Sequence, residues 1–319
     1  MKILFQTDVL CYRGSTVAIT DYARYNQEIL GNESVICYDW ARPYHLDGGT
    51  EPEVVEALMS EFQVRGYDQI SELQRIVDEE KIDVLYNGNH FIPTNCRVVY
   101  NEAWQLYNPN PAFYAYSYIS EWLAAEMGRR HNQTFPYMPH IVQLPEPTGD
   151  LREELNIKPG QTVIGRIGGL FTFNLPFVKQ AIVNILSKRD DFVFIFAGTD
   201  PWFDHPNVRH VPEFHSPQRK ANFFNTCDAT LHARSNGESF GLAVAESLSM
   251  NKPVLVWEGG EDQNHTFMMR DSGLIYSPDT IEDKLLHIRD YINAEDWQQR
   301  VAEFRPATVI NKFKEIFLC

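Results

Sequence analysis

The residues whose types and spacing best suit chemistry lie in one segment, Leu231-His-Ala-Arg-Ser-Asn-Gly-Glu-Ser-Phe-Gly-Leu-Ala-Val-Ala-Glu246. Two carboxylates, Glu238 and Glu246, bracket a stretch that passes from polar loop into an apolar helical pattern over 242–250. Asn236-Gly237 breaks the preceding segment, and Ser239 is the expected N-cap. The amides of Phe240, Gly241 and Leu242 would then be free donors at the positive end of a helix dipole, where a phosphate can be held. Gly241 has no side chain to obstruct a ligand. At about 1.5 Å of rise per residue, Glu246 lies roughly 9 Å along the axis from Phe240. A ligand would meet a carboxylate, a bed of amides and a second carboxylate, which suits a sugar, a diphosphate and a ribose in that order. A Glu near a helix start is favourable without any ligand. Glu246, however, is embedded in Leu242-Ala-Val-Ala and Ser247-Leu248, a helix too apolar to stand freely in water.

A second candidate is Gly165-Arg166, at the carboxyl end of an expected strand over 162–167 and followed by Gly168-Gly169. Small residues keep the backbone low there, and Arg166 would present a rigid fork to a diphosphate. The alternative is a surface ion pair. Near the start, Cys11-Tyr-Arg-Gly-Ser-Thr16 links a strand to a helix, so Arg13 and Gly14 either face a phosphate or acceptor or form an exposed turn. No G-x-G-x-x-G is present, which weakens a dinucleotide reading. Asp190-Asp191 resembles a chelating pair, but it stands between a helix and a buried strand and reads as capping and solvation.

The elements that must position these groups form two alternating series. Strands are expected over 2–8, 34–39, 82–86, 98–100 and 113–118, and helices over 17–30, 51–62, 71–80 and 121–126. The polar ends Asn87-Gly-Asn-His90 and Asn101-Glu102 follow two of these strands. The aromatic 113–118 reads as core before stacking platform. A proline-rich stretch, 136–147, would stiffen a linker. After an expected helical turn over 151–155, strands follow over 162–167, 192–197, 208–211, 229–232 and 253–257, with helices between and at the end. This pattern predicts two α/β lobes, 1–148 and 149–295, with 296–319 as a terminal helical segment.

Composition bounds the partners. A chain of 319 residues with 44% hydrophobic residues is comfortable for two domains with sizeable cores. Its formal charge of −15 argues against nucleic acid or an anionic bilayer as main partner, so any phosphate site is a local basic spot. Five dispersed cysteines show no zinc spacing and read as reduced thiols of a cytoplasmic protein. The first residues read as a strand, not a signal peptide, and no run reaches spanning length. Asn132-Gln-Thr134 and Asn264-His-Thr266 match glycosylation acceptors by chance in that setting.

Taken together, Gly165-Arg166, Cys227-Asp-Ala-Thr-Leu-His-Ala-Arg-Ser and the E-x7-E pattern from Glu238 to Glu246 resemble the donor lobe of GT4-type glycosyltransferases. The likeness is greatest to a viral and bacterial group carrying Gly-Arg-x-Gly-Gly and His-Ala-Arg-Ser-x-Gly-Glu. The resemblance implies a GT-B fold: two Rossmann-like lobes facing a central cleft, with a C-terminal helix returning to the N-terminal lobe. It implies a retaining, metal-independent transferase that moves a sugar from a UDP- or GDP-sugar to a glycan or other hydroxyl acceptor, with no other cofactor. By position, Glu238 and Arg166 would be catalytic. The donor would meet Gly14, Arg166, Gly168, Phe214, Arg234, Ser239, Phe240, Gly241, Leu242 and Glu246. Arg13, His90 and Glu102 are the acceptor-side candidates. Two departures stand out. The family's phosphate-binding Lys, about five residues past Gly-Arg, is Phe171 here, so that Lys179 or Arg234 supplies the charge or Arg166 acts with the helix amides alone. The usual N-lobe His has only His90 or Asn101-Glu102 as counterparts. A sugar-nucleotide-binding protein without turnover, or an epimerase or hydrolase on the same fold, are the alternatives.

Overall fold

The computed structural model describes residues 1–41, 49–87, 94–107 and 110–319. The chain divides into two compact units, Met1–Ile141 with Phe304–Cys319, and Val142–Glu303.

In the first unit, β1 (Lys2–Thr7), β2 (Glu33–Asp39), β3 (Gln63–Tyr67), β4 (Val84–Asn87), β5 (Arg97–Glu102) and β6 (Ala115–Tyr118) form one parallel sheet ordered β3-β2-β1-β4-β5-β6. Ile3, Leu4 and Phe5 on β1 and Val35, Ile36 and Cys37 on β2 are fully buried. Strands covered on both faces by helices read as unbroken apolar runs, as these do. The helices are α1 (Gly14–Glu28), α2 (Pro52–Met59), α3 (Leu73–Glu80) and α4 (Glu121–His131). Ser120 caps α4 by accepting from the Leu123 amide at 3.2 Å, and Arg129, Arg130 and His131 complement the dipole at its other end.

The second unit repeats the plan with β7 (Thr162–Ile167), α5 (Pro176–Leu186), β8 (Phe192–Ala197), β9 (Val208–Val211), α6 (Pro217–Thr226) and β10 (Ala229–Leu231). It continues through β11 (Gly237–Glu238), α7 (Leu242–Ser249), β12 (Val254–Trp257), β13 (Asp262–Gln263), α8 (Asn264–Met268), β14 (Ile275–Tyr276) and α9 (Ile281–Leu286). Its main sheet is parallel and ordered β14-β12-β10-β7-β8-β9, while β11 and β13 pair separately. Both main sheets therefore follow one pattern, in which the order reverses between the first and fourth strands. That reversal leaves a crevice beyond the strand carboxyl ends, between β1 and β4 and between β7 and β10.

The last helix, α10 (Pro306–Phe313), and the π turn Lys314–Leu318 return to the first unit. Phe313 stands 5.7 Å from the rings of both Tyr22 and Tyr86, and Phe317 5.8 Å from Tyr86.

Several local expectations differ from the structure. Residues 151–155 form a single helical turn, closed by the Leu155 amide on Leu151 O at 3.0 Å, and go no further because Asn156 at φ +53° diverts the backbone. Leu151 and Leu155 still bury, which accounts for their helical spacing. Residues 63–67 are a sixth strand, and Glu102 lies on β5 instead of the loop after it. The expected cuts at 148/149 and 295/296 compare with unit limits at 141/142 and 303/304. The proline-rich stretch is shared, Met138 and Ile141 packing in the first unit and Leu144 in the second, where Trp297 is also fully buried.

Candidate functional site

Arg166 sits on β7 with only 4% of its surface exposed. Its guanidinium donates to the Gly168 carbonyl at 3.1 Å, the Gly169 carbonyl at 3.2 Å, and the hydroxyls of Thr199 and Thr172. All four partners are uncharged. Among the described residues no carboxylate lies within 4 Å of it. Burial pushes the group down to about 10, opposed by the charge of Glu238, so it stays cationic at neutral pH. Gly168 is needed for this packing: a Cβ there would stand 2.7 Å from Arg166 Nη2. The arginine thus shapes the loop beyond β7 and places beneath it a charge that Glu238 offsets only from beyond ion-pair distance.

Lys179 adds to that field. Its Nζ lies 5.5 Å from the ring centres of both Phe173 and Trp202, and Arg166 is 5.9 Å from the same Phe173 ring. No described carboxylate pairs with Lys179, whereas Arg234 is bonded to Glu238 at 3.0 Å. Of the two residues offered as substitutes for the missing lysine, Lys179 is the one with charge to spare. Phe171 itself is 81% exposed.

The β7 loop is tied to the two-glutamate loop. Asn174 donates its amide to Ala233 O at 3.2 Å and accepts from the Ser235 amide at 2.8 Å. Beyond Ser235, Gly237 takes φ +74°, and a Cβ there would come within 1.9 Å of Asp262 O on the paired strand β13. Glu238 then faces Arg234 through Oε2 at 3.0 Å and His232 Nε2 through Oε1 at 3.5 Å. Burial alone would raise the Glu238 carboxyl, but His232 and Arg234 outweigh it and hold it below the ordinary glutamate range.

The helix begins later than its sequence suggests. Gly241, not Ser239, is the N-cap of α7, at φ +85° and ψ 56° with no side-chain cap bond. This left-handed turn costs an L side chain about 1–2 kcal/mol and suits glycine. A Cβ at Gly241 would also lie 3.2 Å from Glu238 Cβ. The free amides at the helix start are therefore those of Leu242 and the next two residues. Glu246 lies one turn along, roughly 6 Å by helical rise and not 9 Å. It is 5% exposed and paired with Lys220 Nζ of α6 at 2.8 Å.

The remaining expected residues are dispersed. Phe214 is 7% exposed and packs on Phe223 at 5.2 Å, with Arg219 over its ring. Arg13 and Gly14 are exposed at the start of α1 in the first unit, where Arg13 is the N-cap. Glu102 is 1% exposed on β5, accepts from the Trp104 amide at 2.9 Å, and has its carboxyl raised by burial. His90 lies outside the described residues.

Three participants went unassigned in the sequence. Lys220 lies 26 residues before its partner, a distance no local spacing reveals. Asn264, part of a glycosylation-like triplet, is 2% exposed and donates to Phe240 O at 2.6 Å, holding the two-glutamate loop. His265 is fully buried beneath the same loop, with Nε2 2.8 Å from Trp257 O.

Residues 148–306 match the family model of group 1 glycosyl transferases. A glycosyltransferase from Rickettsia africae ESF-5 superposes with a TM-score of 0.71 at 13% identity, over 99% of this chain and 97% of that one. Anabaena Alr3699/HepE in complex with UDP-glucose gives 0.71 at 13% identity, over 99% and 98%. WaaG, a glycosyltransferase involved in lipopolysaccharide biosynthesis, gives 0.64 at 12% identity, over 99% of each chain. No curated protein sequence matches the chain. The molecule has the GT-B fold. Among the described residues, no helix is long and apolar enough to cross a membrane.

Proposed function

We propose that the protein is a retaining, GT4-like glycosyltransferase that moves a sugar from a UDP- or GDP-sugar to a hydroxyl acceptor on a glycan, without a metal ion. The observation that carries this reading is the set of groups at the β7–β10 reversal: a buried Arg166 with no carboxylate partner, the uncapped start of α7, and Glu246 one turn further on. The complex of HepE with UDP-glucose supports a nucleotide sugar as the ligand of such a fold.

In this mechanism the diphosphate lies over the α7 amides and the Arg166 loop, with Lys179 as the second cation. As the glycosidic bond breaks, charge grows on the leaving phosphate, and these preset donors stabilise it without reorganisation. Glu246 receives the ribose hydroxyls, shifting or sharing Lys220. Glu238, held ionised, faces the sugar as it gains positive character. Lobe 1–148 provides the acceptor side, with Arg13 and Glu102 as its contacts, and the protein acts in the cytoplasm. Release of nucleoside diphosphate from UDP-, GDP- and ADP-sugars, with the product anomer read by NMR, tests the reading. Turnover with retention supports it. Thermal stabilisation with no turnover would leave a binding protein, and inversion would end the retaining assignment. EDTA should change the rate by less than about 2-fold, since these donors already supply the leaving-group stabilisation. Loss on chelation with recovery on Mg²⁺ would overturn that part.

A further inference from the structure

The electrostatics of Glu238 depend on a histidine that the scheme above leaves idle. His232 follows β10 directly, and its main chain is fixed on both sides: its amide donates to Leu255 O at 2.8 Å and its carbonyl accepts from Tyr276 Oη at 2.5 Å. Its side chain is 8% exposed, and both ring nitrogens are buried without a hydrogen-bond partner. A buried polar atom left unbonded is costly, so a nearby acceptor is a strong attraction. Glu238 Oε1 lies 3.5 Å from Nε2, within a small rotation of bonding distance.

Beneath His232 lies His265, the ring centres 4.3 Å apart and inclined by 37°. The Trp257 carbonyl can only accept, so His265 Nε2 carries the proton and Nδ1 is a bare lone pair, buried and unpartnered. Burial pushes this imidazole down to about 3, which keeps it uncharged at neutral pH. The loop bearing Glu238 rests on it, since a Cβ on Gly237 would stand 2.8 Å from His265 Cε1. The carboxylate is thus approached by two donors of different character. Arg234, on Oε2, has 38% of its side chain exposed and can swing away, whereas His232 is buried and its backbone is pinned.

We propose that His232 is the positioning residue for Glu238, donating Nε2–H to Oε1, with His265 as the rigid uncharged support that sets the His232 ring plane. The consequence for turnover rests on the transferase reading; the contact itself does not.

The test uses the full chain labelled with ¹⁵N-histidine, as wild type and as Glu238→Gln, His232→Gln and His232→Leu. Long-range ¹H–¹⁵N spectra should show both His232 and His265 protonated on Nε2, and the His232 signals should move in Glu238→Gln. Turnover of a nucleotide sugar should fall about 10- to 100-fold in His232→Leu, the worth of one hydrogen bond to a charged group. His232→Gln, which keeps an N–H donor, should recover most of it. Nucleoside diphosphate affinity should hold within about 2-fold in both, because the contact lies on the sugar side. Unmoved His232 signals in Glu238→Gln would overturn the proposal, as would equal turnover in the Leu and Gln variants. If the wild type turns over no nucleotide sugar, the transferase reading fails, and the spectra alone still decide whether His232 holds Glu238.

Discussion

The two units run the same strand order and end their first and fourth strands in different chemistry. In the second, β7 carries a buried arginine near its end, and β10 runs into a loop with two positive-φ glycines and Glu238, then an uncapped helix start with Glu246 one turn in. In the first, β1 ends at Thr7, whose hydroxyl donates forward to Val9 O at 3.2 Å, and β4 ends at the fully buried Asn87. Glu102, on the neighbouring β5, has no described lysine or arginine within 4 Å and a carboxyl raised by burial. Topology supplies a crevice in both units. What binds there is decided by loop composition: among the described residues, the second unit buries a cation without a carboxylate partner, Arg166, at its reversal, whereas the first offers the exposed Arg13.

Arginine replacements test that contrast most severely. Arg166→Met should weaken nucleoside diphosphate binding by about 10- to 150-fold, since the buried charge goes with it and so does the loop that its guanidinium holds, a loss on the scale of one charge-assisted bond of about 1.5–3 kcal/mol. Arg13→Met in the first unit should cost less than about 3-fold, as expected of an exposed surface charge. Calorimetric titration of both reads the difference directly, and a larger loss for Arg13 would move the anion site to the other unit.

The glutamates sharpen the comparison within the second unit. Glu246→Gln should lower affinity about 10- to 150-fold for nucleoside diphosphate and nucleotide sugar alike, because the ribose is common to both. Glu238→Gln should spare nucleoside diphosphate affinity and reduce turnover, the mark of a contact felt in the transition state. Equal loss of free-nucleotide binding would mean that both carboxylates only support the loop.

Acid provides a third handle. His265 is pushed down to about 3, so below its unfolded value near 6.5 the unfolded chain takes up a proton the folded one refuses. The stability it contributes is complete above pH 6.5 and drains away as the pH falls toward 3, about 2 kcal/mol being lost by pH 5. His140 in the first unit, pushed down to about 4, adds a slope of the same sign that levels off sooner. Urea unfolding between pH 7 and 4 should show this slope flattened in His265→Gln; an unchanged slope would mean the ring is not buried neutral.

The smallest effect expected is at the helix starts. Gly241→Ala should destabilise by about 1–2 kcal/mol through its left-handed backbone, while Gly14→Ala, at the first position of α1 with no positive φ, should stay within roughly 0.5 kcal/mol. Matched melting curves decide it.

The same physics explains what the sequence revealed. Both sheets could be read because buried parallel strands are unbroken apolar runs, as in 192–197, where every residue is buried. β3 escaped because it is an edge strand, Gln63-Val-Arg-Gly-Tyr67, mostly polar and half-exposed. Arg166, Glu238 and Glu246 stood out because each sits in a local context that has no other use for it. Lys220, Asn264 and His265 did not, since each reaches the site from an element distant in the chain, and only folding sets them against the glutamate loop. Ser239 misled because a cap preference is a local rule, and the chain makes its left-handed turn two residues later, at Gly241, which becomes the cap.

The return of the C-terminal segment also fixes an order of events during synthesis. The second unit is one continuous stretch, whereas the first is interrupted by it. Phe313 and Phe317, both without solvent exposure, fill the core around Phe5, Tyr22 and Tyr86. A ribosome makes some three hundred residues between Phe5 and these two rings. The nascent first unit must therefore wait with an unfilled core while the second folds behind it. The part made first is the part finished last, and in that interval its apolar surface is a ready client for chaperones.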